Sequence, residues 1–331
     1  MQDKATLRSI AAESGFAVTT VSRALADDPK IAEATRRRIG EIARAQGYVP
    51  DRAARHLRTG KTNVIALVMT PHDEILGFRG SMIAGVQKAL QGTAYHIHMA
   101  PYDLRGDPLE PVRHIVQNRL ADGILFTGTT PDDPRVAYLN AAGFAFVSYG
   151  RTDAGAAHAW CDFDNHAFAV MAVERLAARG RKSLFLLPPK DRRTYGRHMR
   201  EGFQAAAARL GVKATTSEML TLATPPQRLQ SEIAPLCQGA GIDGIIAPGE
   251  VAAMAVMAGL GDAGIAVGGE VDVLAKQTSR TFDLYRPRID TIYEDISAGG
   301  EAMGRLLLRR LAGEGAEGLQ VLMLPEPNFR L

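Results

Sequence analysis

The chain has only two cysteines, Cys161 and Cys237, and neither lies in a Cys-x-x-Cys pair or a histidine-rich context. That excludes a disulfide framework and a zinc site, and a reducing compartment is the expectation. Long apolar runs are missing too: the longest, Val251–Leu260, is far short of the roughly 18 residues that suggest a membrane span. The start, Met1-Gln-Asp-Lys-Ala-Thr6, lacks the basic-then-apolar layout of a signal peptide, so a cytoplasmic location is expected. No Gly-x-Gly-x-x-Gly follows a strand-like run, which leaves a dinucleotide enzyme nothing to stand on. His72, His96, His98, His114, His158, His166 and His198 show no ligand spacing, and Ser148 has no nucleophile-elbow context. Neither a metal, a cofactor nor catalysis is expected.

What is present points elsewhere. A length of 331 residues, 46% hydrophobic and 23% charged, suggests about two domains with sizeable cores. The net charge of +3 hides an asymmetry: residues 1–61 carry 12 basic and 7 acidic groups, the remainder 27 and 29. A basic head on a slightly acidic body suggests an N-terminal module that meets a polyanion.

The head reads as three helices. Leu7 to Ser14 has Thr6 as N-cap and Leu7, Ile10 and Ala11 on one face. Gly15-Phe16 turns the chain into a second helix, about Val18 to Leu25, with Val21, Ala24 and Leu25 inward. After Asp27-Asp28-Pro29 a third runs from about Ala32 to Gln46, with Ile39, Ile42 and Ala43 at helical spacing and Gly47 closing it. Two short helices joined by a glycine turn and braced by a third make a helix-turn-helix, whose second helix lies in the major groove.

The run Ala5-Thr-Leu-Arg-Ser-Ile-Ala-Ala-Glu-Ser-Gly-Phe-Ala-Val-Thr-Thr-Val-Ser-Arg-Ala-Leu25 resembles the head of the lactose-repressor (LacI/GalR) family of bacterial transcription regulators. The likeness continues through Thr35-Arg-Arg-Arg-Ile39 and Gly47-Tyr-Val-Pro-Asp-Arg-Ala-Ala-Arg-His-Leu57. It implies Val18, Thr19 and Arg23 as base-reading positions. A guanidinium at Arg23 can bond a guanine edge bidentately, whereas Val18 can only touch a thymine methyl. The resemblance places Thr6, Thr20, Ser22, Thr35 and Tyr48 on phosphates, where they position without specifying. Capping and local turn bonding compete for these hydroxyls. Ala17 stands where the family usually has a capping Ser or Thr.

Residues 51–61 read as a hinge. Asp51 can cap a short helix with Ala53, Ala54 and Leu57 along one side and Arg52, Arg55 and Arg58 along another. Two turns are marginal alone in water. The resemblance implies minor-groove contacts from Arg52, Ala54 and Arg55, with Leu57 as a wedge between base pairs; a plain linker helix is the alternative.

From Val64 on, short β-rich runs alternate with helix-length amphipathic runs. Strands are expected at Val64–Thr70, Tyr95–Tyr102, Gly123–Thr127 and Phe144–Tyr149, with helices at Phe78–Gln91, Leu109–Leu120 and Pro134–Ala142. The second half repeats the scheme: helices Ala167–Arg179, Gly196–Leu210, Pro226–Gln238 and Val251–Ala263 separate strands Ser183–Pro188, Lys213–Met219, Gly244–Ala247 and Val271–Ala275. The rhythm predicts parallel sheets covered by helices, with a ligand cleft at the carboxyl ends of the strands. The fold class is thus an all-α helix-turn-helix head plus hinge helix, then an α/β body. Asp162-Phe-Asp-Asn165, Gly202-Phe203 and Ile289-Asp-Thr-Ile-Tyr-Glu-Asp295 resemble landmarks of the family's two-lobed, periplasmic-binding-protein-like effector domain. The expected domains are 1–50, 51–61 and 62–331, with lobe 1 about 62–160 and 293–325 and lobe 2 about 161–292.

The effector site departs from the family. Its usual Arg before Gly-Phe is Met199 here, leaving Tyr195 and His198 on that face and Arg197 or Arg200 as substitutes. Gly249-Glu250 replaces an Asn- or Ser-Asp pair, and Ala275-Lys-Gln-Thr278 brings Lys276 or Gln277 where many members have carboxylates. Trp160, the only tryptophan, suits a pyranose face, with Asp162 or Asp164 for hydroxyls; the alternative is a core Trp beside a capping Asp. Phe78 matches a cleft aromatic or a core residue, and Arg151 follows a strand toward the cleft. The resemblance implies a repressor of carbohydrate genes that binds a near-palindromic operator as a homodimer and takes a sugar or sugar derivative as effector. Residues 325–331 carry no leucine heptad for a tail-mediated tetramer. A sugar-binding protein without operator specificity is the alternative.

Overall fold

The computed structural model describes residues 5–48, 60–69, 75–100, 106–153, 157–189 and 192–331. It divides into two compact units, Met1–Thr62 and Asn63–Leu331. The hinge positions Arg52, Ala54, Arg55 and Leu57 lie outside the described residues.

In the first unit, α1 (Leu7–Ser14), α2 (Val18–Ala24) and α3 (Glu33–Ala45) share a core of Ile10, Val21, Ala24, Ile39 and Ala43. Thr6 caps α1: its hydroxyl accepts from the Ser9 amide at 3.2 Å, and the Ser9 hydroxyl accepts from the Thr6 amide at 3.0 Å. This reciprocal box satisfies two amide donors that the first turn leaves open. Gly15, at φ +74°, ends α1 in the left-handed region that suits glycine and starts the turn into α2. Gln46 ties the end of α3 back to α1, accepting from the Ser9 hydroxyl at 2.7 Å and donating to Glu13 at 2.5 Å.

The second unit is built on two six-stranded sheets. Lobe 1 holds β1 (Val64–Val68), β2 (His96–Met99), β3 (Gly123–Thr127), β4 (Ala145–Tyr149), β5 (Trp160–Phe163) and β11 (Gln320–Met323), in the order β11-β5-β4-β3-β1-β2. Lobe 2 holds β6 (Ser183–Leu186), β7 (Lys213–Thr216), β8 (Gly244–Ala247), β9 (Asp272–Gln277), β10 (Asp290–Tyr293) and β12 (Glu326–Asn328), in the order β12-β10-β9-β8-β6-β7. Each lobe thus repeats one topology, and only the β10–β12 pair is antiparallel among the described ladders. Central strands such as β3 and β8 are buried at every position, as a sheet covered on both faces requires, whereas β2 and β7 at the edges are mostly exposed.

Helices α4 (Phe78–Leu90), α5 (Glu110–Gln117), α6 (Pro134–Ala141) and α12 (Ile296–Leu311) belong to lobe 1. Lobe 2 has α7 (Asn165–Ala178), α8 (Thr194–Leu210), α9 (Pro226–Ala240), α10 (Glu250–Asp262) and the short α11 (Thr281–Leu284). The chain changes lobe after Phe163, after Tyr293 and after Met323. The lobe limits read from sequence need correction accordingly. β5 belongs wholly to the first sheet, so lobe 1 extends to Phe163, and the tail returns to lobe 2 as β12. No helix among the described residues is long and apolar enough to cross a membrane.

α4 and α12 pack through glycines. A Cβ on Gly85 would lie 2.0 Å from the Ser297 carbonyl oxygen, and one on Gly300 would lie 2.4 Å from that of Met82. Gly85→Ala should force the helices apart and lower the Tm of the body by several degrees, as about 1–3 kcal/mol of overpacking would. Gly80→Ala on the same helix, with nothing within 4 Å of its Cβ, should leave the Tm unchanged or raise it. Equal Tm values for the two variants would refute the close packing.

Candidate functional site

In the head, α2 turns Val21 and Ala24 into the core and leaves Val18, Thr19 and Arg23 exposed. The Arg23 Nε donates to Asp28 Oδ2 at 2.8 Å, which directs the guanidinium and leaves its two terminal nitrogens for a ligand. Asp28 is held below the usual carboxylate range by the Lys30 backbone N–H and by Arg23. Thr19 is exposed, while Thr20, Ser22, Thr35 and Tyr48 are half-buried. Ala17, the N-cap of α2, makes no side-chain cap, so this position offers no hydroxyl to the helix or to a phosphate. Thr6 spends one lone pair on its own helix.

In the body, residues at the carboxyl ends of strands converge on one cavity of about 50 Å³ between the lobes. Gly128 and Thr129 follow β3, Tyr149 and Gly150 end β4, and Asp162 and Phe163 end β5. Lobe 2 contributes Asn165 and Tyr195 from the starts of α7 and α8 and Lys276 from β9, while Glu294 comes from the crossover after β10. Ile75 and Phe78 cover them. The Gly128–Thr129 wall is fixed from behind by the buried Arg135, which donates to the carbonyls of Thr127 at 3.1 Å and Gly128 at 2.9 Å and pairs with Asp133.

Polar groups in this cavity form one chain. The Tyr149 hydroxyl donates to Glu294 at 2.8 Å, and Lys276 Nζ donates at 2.8 Å both to Glu294 and to the Asn165 side-chain Oδ1. The Lys276 ammonium also lies 4.8 Å from the Phe163 ring centroid, a cation–π contact. Burial and the neighbouring Glu294 push the Tyr149 phenol well above its ordinary pKa. Asp162 pairs with Arg151 at 3.0 Å, yet burial outweighs that cation and, with Glu294 adding to it, pushes the carboxyl up to about 7. A carboxyl raised from 3.8 to about 7 binds its proton more tightly in the folded state. Its stabilising contribution is therefore full below pH 4 and is lost as pH rises through 7. In a Tm series from pH 5 to 8, Asp162→Asn should flatten the decline seen in the parent; parallel curves would show that Asp162 titrates elsewhere.

Of the expected effector contacts, Phe78, Tyr195 and Lys276 line this cavity, as does Asp162 of the two aspartates weighed for hydroxyls. The others are placed differently. Trp160 sits at the start of β5, outside the lining. Asp164 caps α7 through the Ala167 amide at 3.0 Å and stands 3.9 Å from Arg151. Arg151 is engaged by Asp162, and Arg197 is paired with Asp153 at 2.6 Å. His198 is half-buried beside Arg197, its pKa lowered by burial and by Arg151 and Arg197. Met199 is a fully buried core residue, and Arg200 donates to the Pro189 carbonyl. Gln277 is buried outside the lining, and Glu250 is spent on protein partners. Tyr149, Asn165, Thr129 and Glu294 were not singled out as contacts. Their signal is position: each stands at the carboxyl end of a strand or in a crossover.

Comparison with known proteins agrees with this geometry. Residues 6–51 match "Bacterial regulatory proteins, lacI family", and residues 173–330 match "Periplasmic binding protein-like domain". The HTH-type transcriptional regulator RafR of Escherichia coli is 36% identical over 225 residues, 67% of this chain and 66% of RafR. Two solved structures share the fold. A transcriptional regulator CelR–cellobiose complex has TM-score 0.70 and 22% identity, covering 99% of each chain. The lac repressor dimer bound to operator and the anti-inducer ONPF has TM-score 0.81 and 18% identity over 98% of each chain. With this head, this body and these relatives, the chain belongs to the lacI family of bacterial regulatory proteins.

Proposed function

We propose that this protein is a DNA-binding transcriptional repressor whose head reads an operator and whose body takes a small neutral sugar as effector. The observation that carries the reading is the α2 surface: Val18, Thr19 and a directed Arg23 stand exposed on a helix whose opposite face is locked into a core. Such a surface has the reach of a major-groove reader. The alternative, a sugar-binding protein without operator specificity, leaves that surface without a task. The working unit is a homodimer, because one head covers a single half-site and a near-palindromic site needs two. The relative RafR is a transcriptional regulator, and the reading assigns this chain no catalysis.

The cavity supports the effector half of the reading. Its aromatic cover, Phe78, and its alternating donors and acceptors suit the apolar face and hydroxyls of a sugar ring. At about 50 Å³ it is smaller than the ~300–1,000 Å³ of typical ligand pockets, so occupation involves movement of the lobes. A mobile closure of this kind can transmit about 1–3 kcal/mol of coupling to DNA affinity. The test is operator selection from random DNA, followed by anisotropy titration with cellobiose, the sugar of the CelR complex, and a panel of mono- and disaccharides. A selected palindrome whose affinity shifts with one sugar is the expected result. Binding of a sugar with no preference among DNA sequences would favour the alternative.

A further inference from the structure

Glu250 opens α10 and is completely buried, yet it does not line the cavity. Its Oε1 accepts from the Thr278 amide at 2.6 Å and the Ser279 amide at 3.0 Å, with both neighbouring hydroxyls within 3.3 Å. All of these partners are in lobe 2. Its other oxygen, Oε2, accepts from the Leu76 amide at 3.3 Å, across the cleft in lobe 1. The Leu76 carbonyl is met from the same side by the Thr278 hydroxyl at 3.2 Å. The Leu76 amide is thus satisfied by the opposite lobe, and its carbonyl shares the single Thr278 hydroxyl proton with Glu250. Leu76 adjoins Ile75 and stands two residues before Phe78, and these two side chains cover the cavity.

We infer that Glu250 is a latch: from lobe 2 it holds the Leu76 turn of lobe 1 down as the roof of the cavity. The inference rests on reading that cavity as the effector site. The latch is made of protein groups alone, so it needs no ligand to form. It is also reversible by construction. If the lobes part, Glu250 keeps its bonds to Thr278 and Ser279 and remains a satisfied carboxylate, and only the bonds to Leu76 are exchanged for water. A second contact between the lobes works in the same direction, the Thr194 amide donating to the Thr129 carbonyl at 3.0 Å. Glu250 is therefore a positioning residue that sets how readily the roof lifts.

Hydrogen exchange on the full-length protein without added sugar tests this, read at peptides covering residues 75–82. In the parent the Leu76 amide should be protected. In Glu250→Ala it should exchange roughly ten- to hundredfold faster, the factor for one hydrogen bond to a charged acceptor. Peptides of β8 and β9 should keep their protection. Thr278→Val removes only the hydroxyl and should give a smaller acceleration at the same peptides. A parent that exchanges Leu76 at the unprotected rate, or a Glu250→Ala that leaves it unchanged, overturns the latch. If Glu250→Ala loses protection throughout lobe 2, Thr278→Val decides, and unchanged exchange at 75–82 there overturns it as well. The sugar titration of operator binding is independent of this measurement. A protein with a working latch and no sugar response would fail the effector reading alone.

Discussion

Lys276→Ala should destabilise the body by about 3–5 kcal/mol, the range for leaving one partner of a buried ion pair uncompensated. Both Lys276 and Glu294 are about 5% exposed, and without the ammonium at 2.8 Å the Glu294 carboxylate is left buried with no counter-charge. The lysine also holds two separate chain crossings, Asn165 after β5 and Glu294 after β10. Its loss removes the staple between two of the segments that cross between the lobes, as well as a charge. Asp162 should titrate still higher in the variant, because Lys276 is one of the cations that lower it. Urea unfolding followed by Trp160, the only tryptophan, would measure the loss. Lys276→Met combined with Glu294→Gln should recover most of it, since the carboxylate is then no longer buried without a counter-charge. A double variant no more stable than the single one would mean that the pair acts through packing.

The helix-turn-helix was legible in the sequence to within a residue or two, because a short helical unit is written locally: a cap at Thr6, a left-handed glycine at 15, apolar residues at helical spacing. The alternation of the body was legible for the same reason. What was missed follows from long-range packing. α12 carries Ala298-Gly-Gly-Glu301 in its first turns and no helix was expected there, yet Gly300 and Gly304 let α4 approach closely. β5 and β10 each contain aspartate, a poor strand former; Asp162 and Asp290 are tolerated because Arg151 and Arg175 reach them from other elements. The lining of the cavity was only partly legible for a related reason. Resemblance fixes which positions lie near the cleft, but whether Arg197 or Glu250 faces a ligand depends on partners such as Asp153 and Leu76, which are 44 and 174 residues away.

Arg23→Ala should weaken specific DNA binding by about 1–3 kcal/mol, roughly ten- to hundredfold, and relax base preference at one position per half-site. The argument is geometric. Among the exposed α2 positions expected to read bases, Val18 offers only methyl groups and Thr19 a short hydroxyl, so the long donor is Arg23. Its Nε is already bound to Asp28, with the arginine side chain 49% exposed. The bond restricts the rotamers and leaves Nη1 and Nη2 for a bidentate contact. Part of the ordering entropy of a bidentate contact is thereby spent before DNA arrives. Arg23→Lys should not rescue, because an ammonium cannot make the paired contact to O6 and N7. Asp28→Ala should separate the two contributions: it removes a carboxylate from a DNA-facing surface, so binding to random DNA tightens, while the freed arginine loses its aim and specific binding weakens. Anisotropy titrations at two salt concentrations with operator and scrambled duplexes would check all three variants. If Arg23→Ala costs the same on both duplexes and flattens the salt dependence by about one phosphate contact, Arg23 grips the backbone, and base reading falls to Val18 and Thr19.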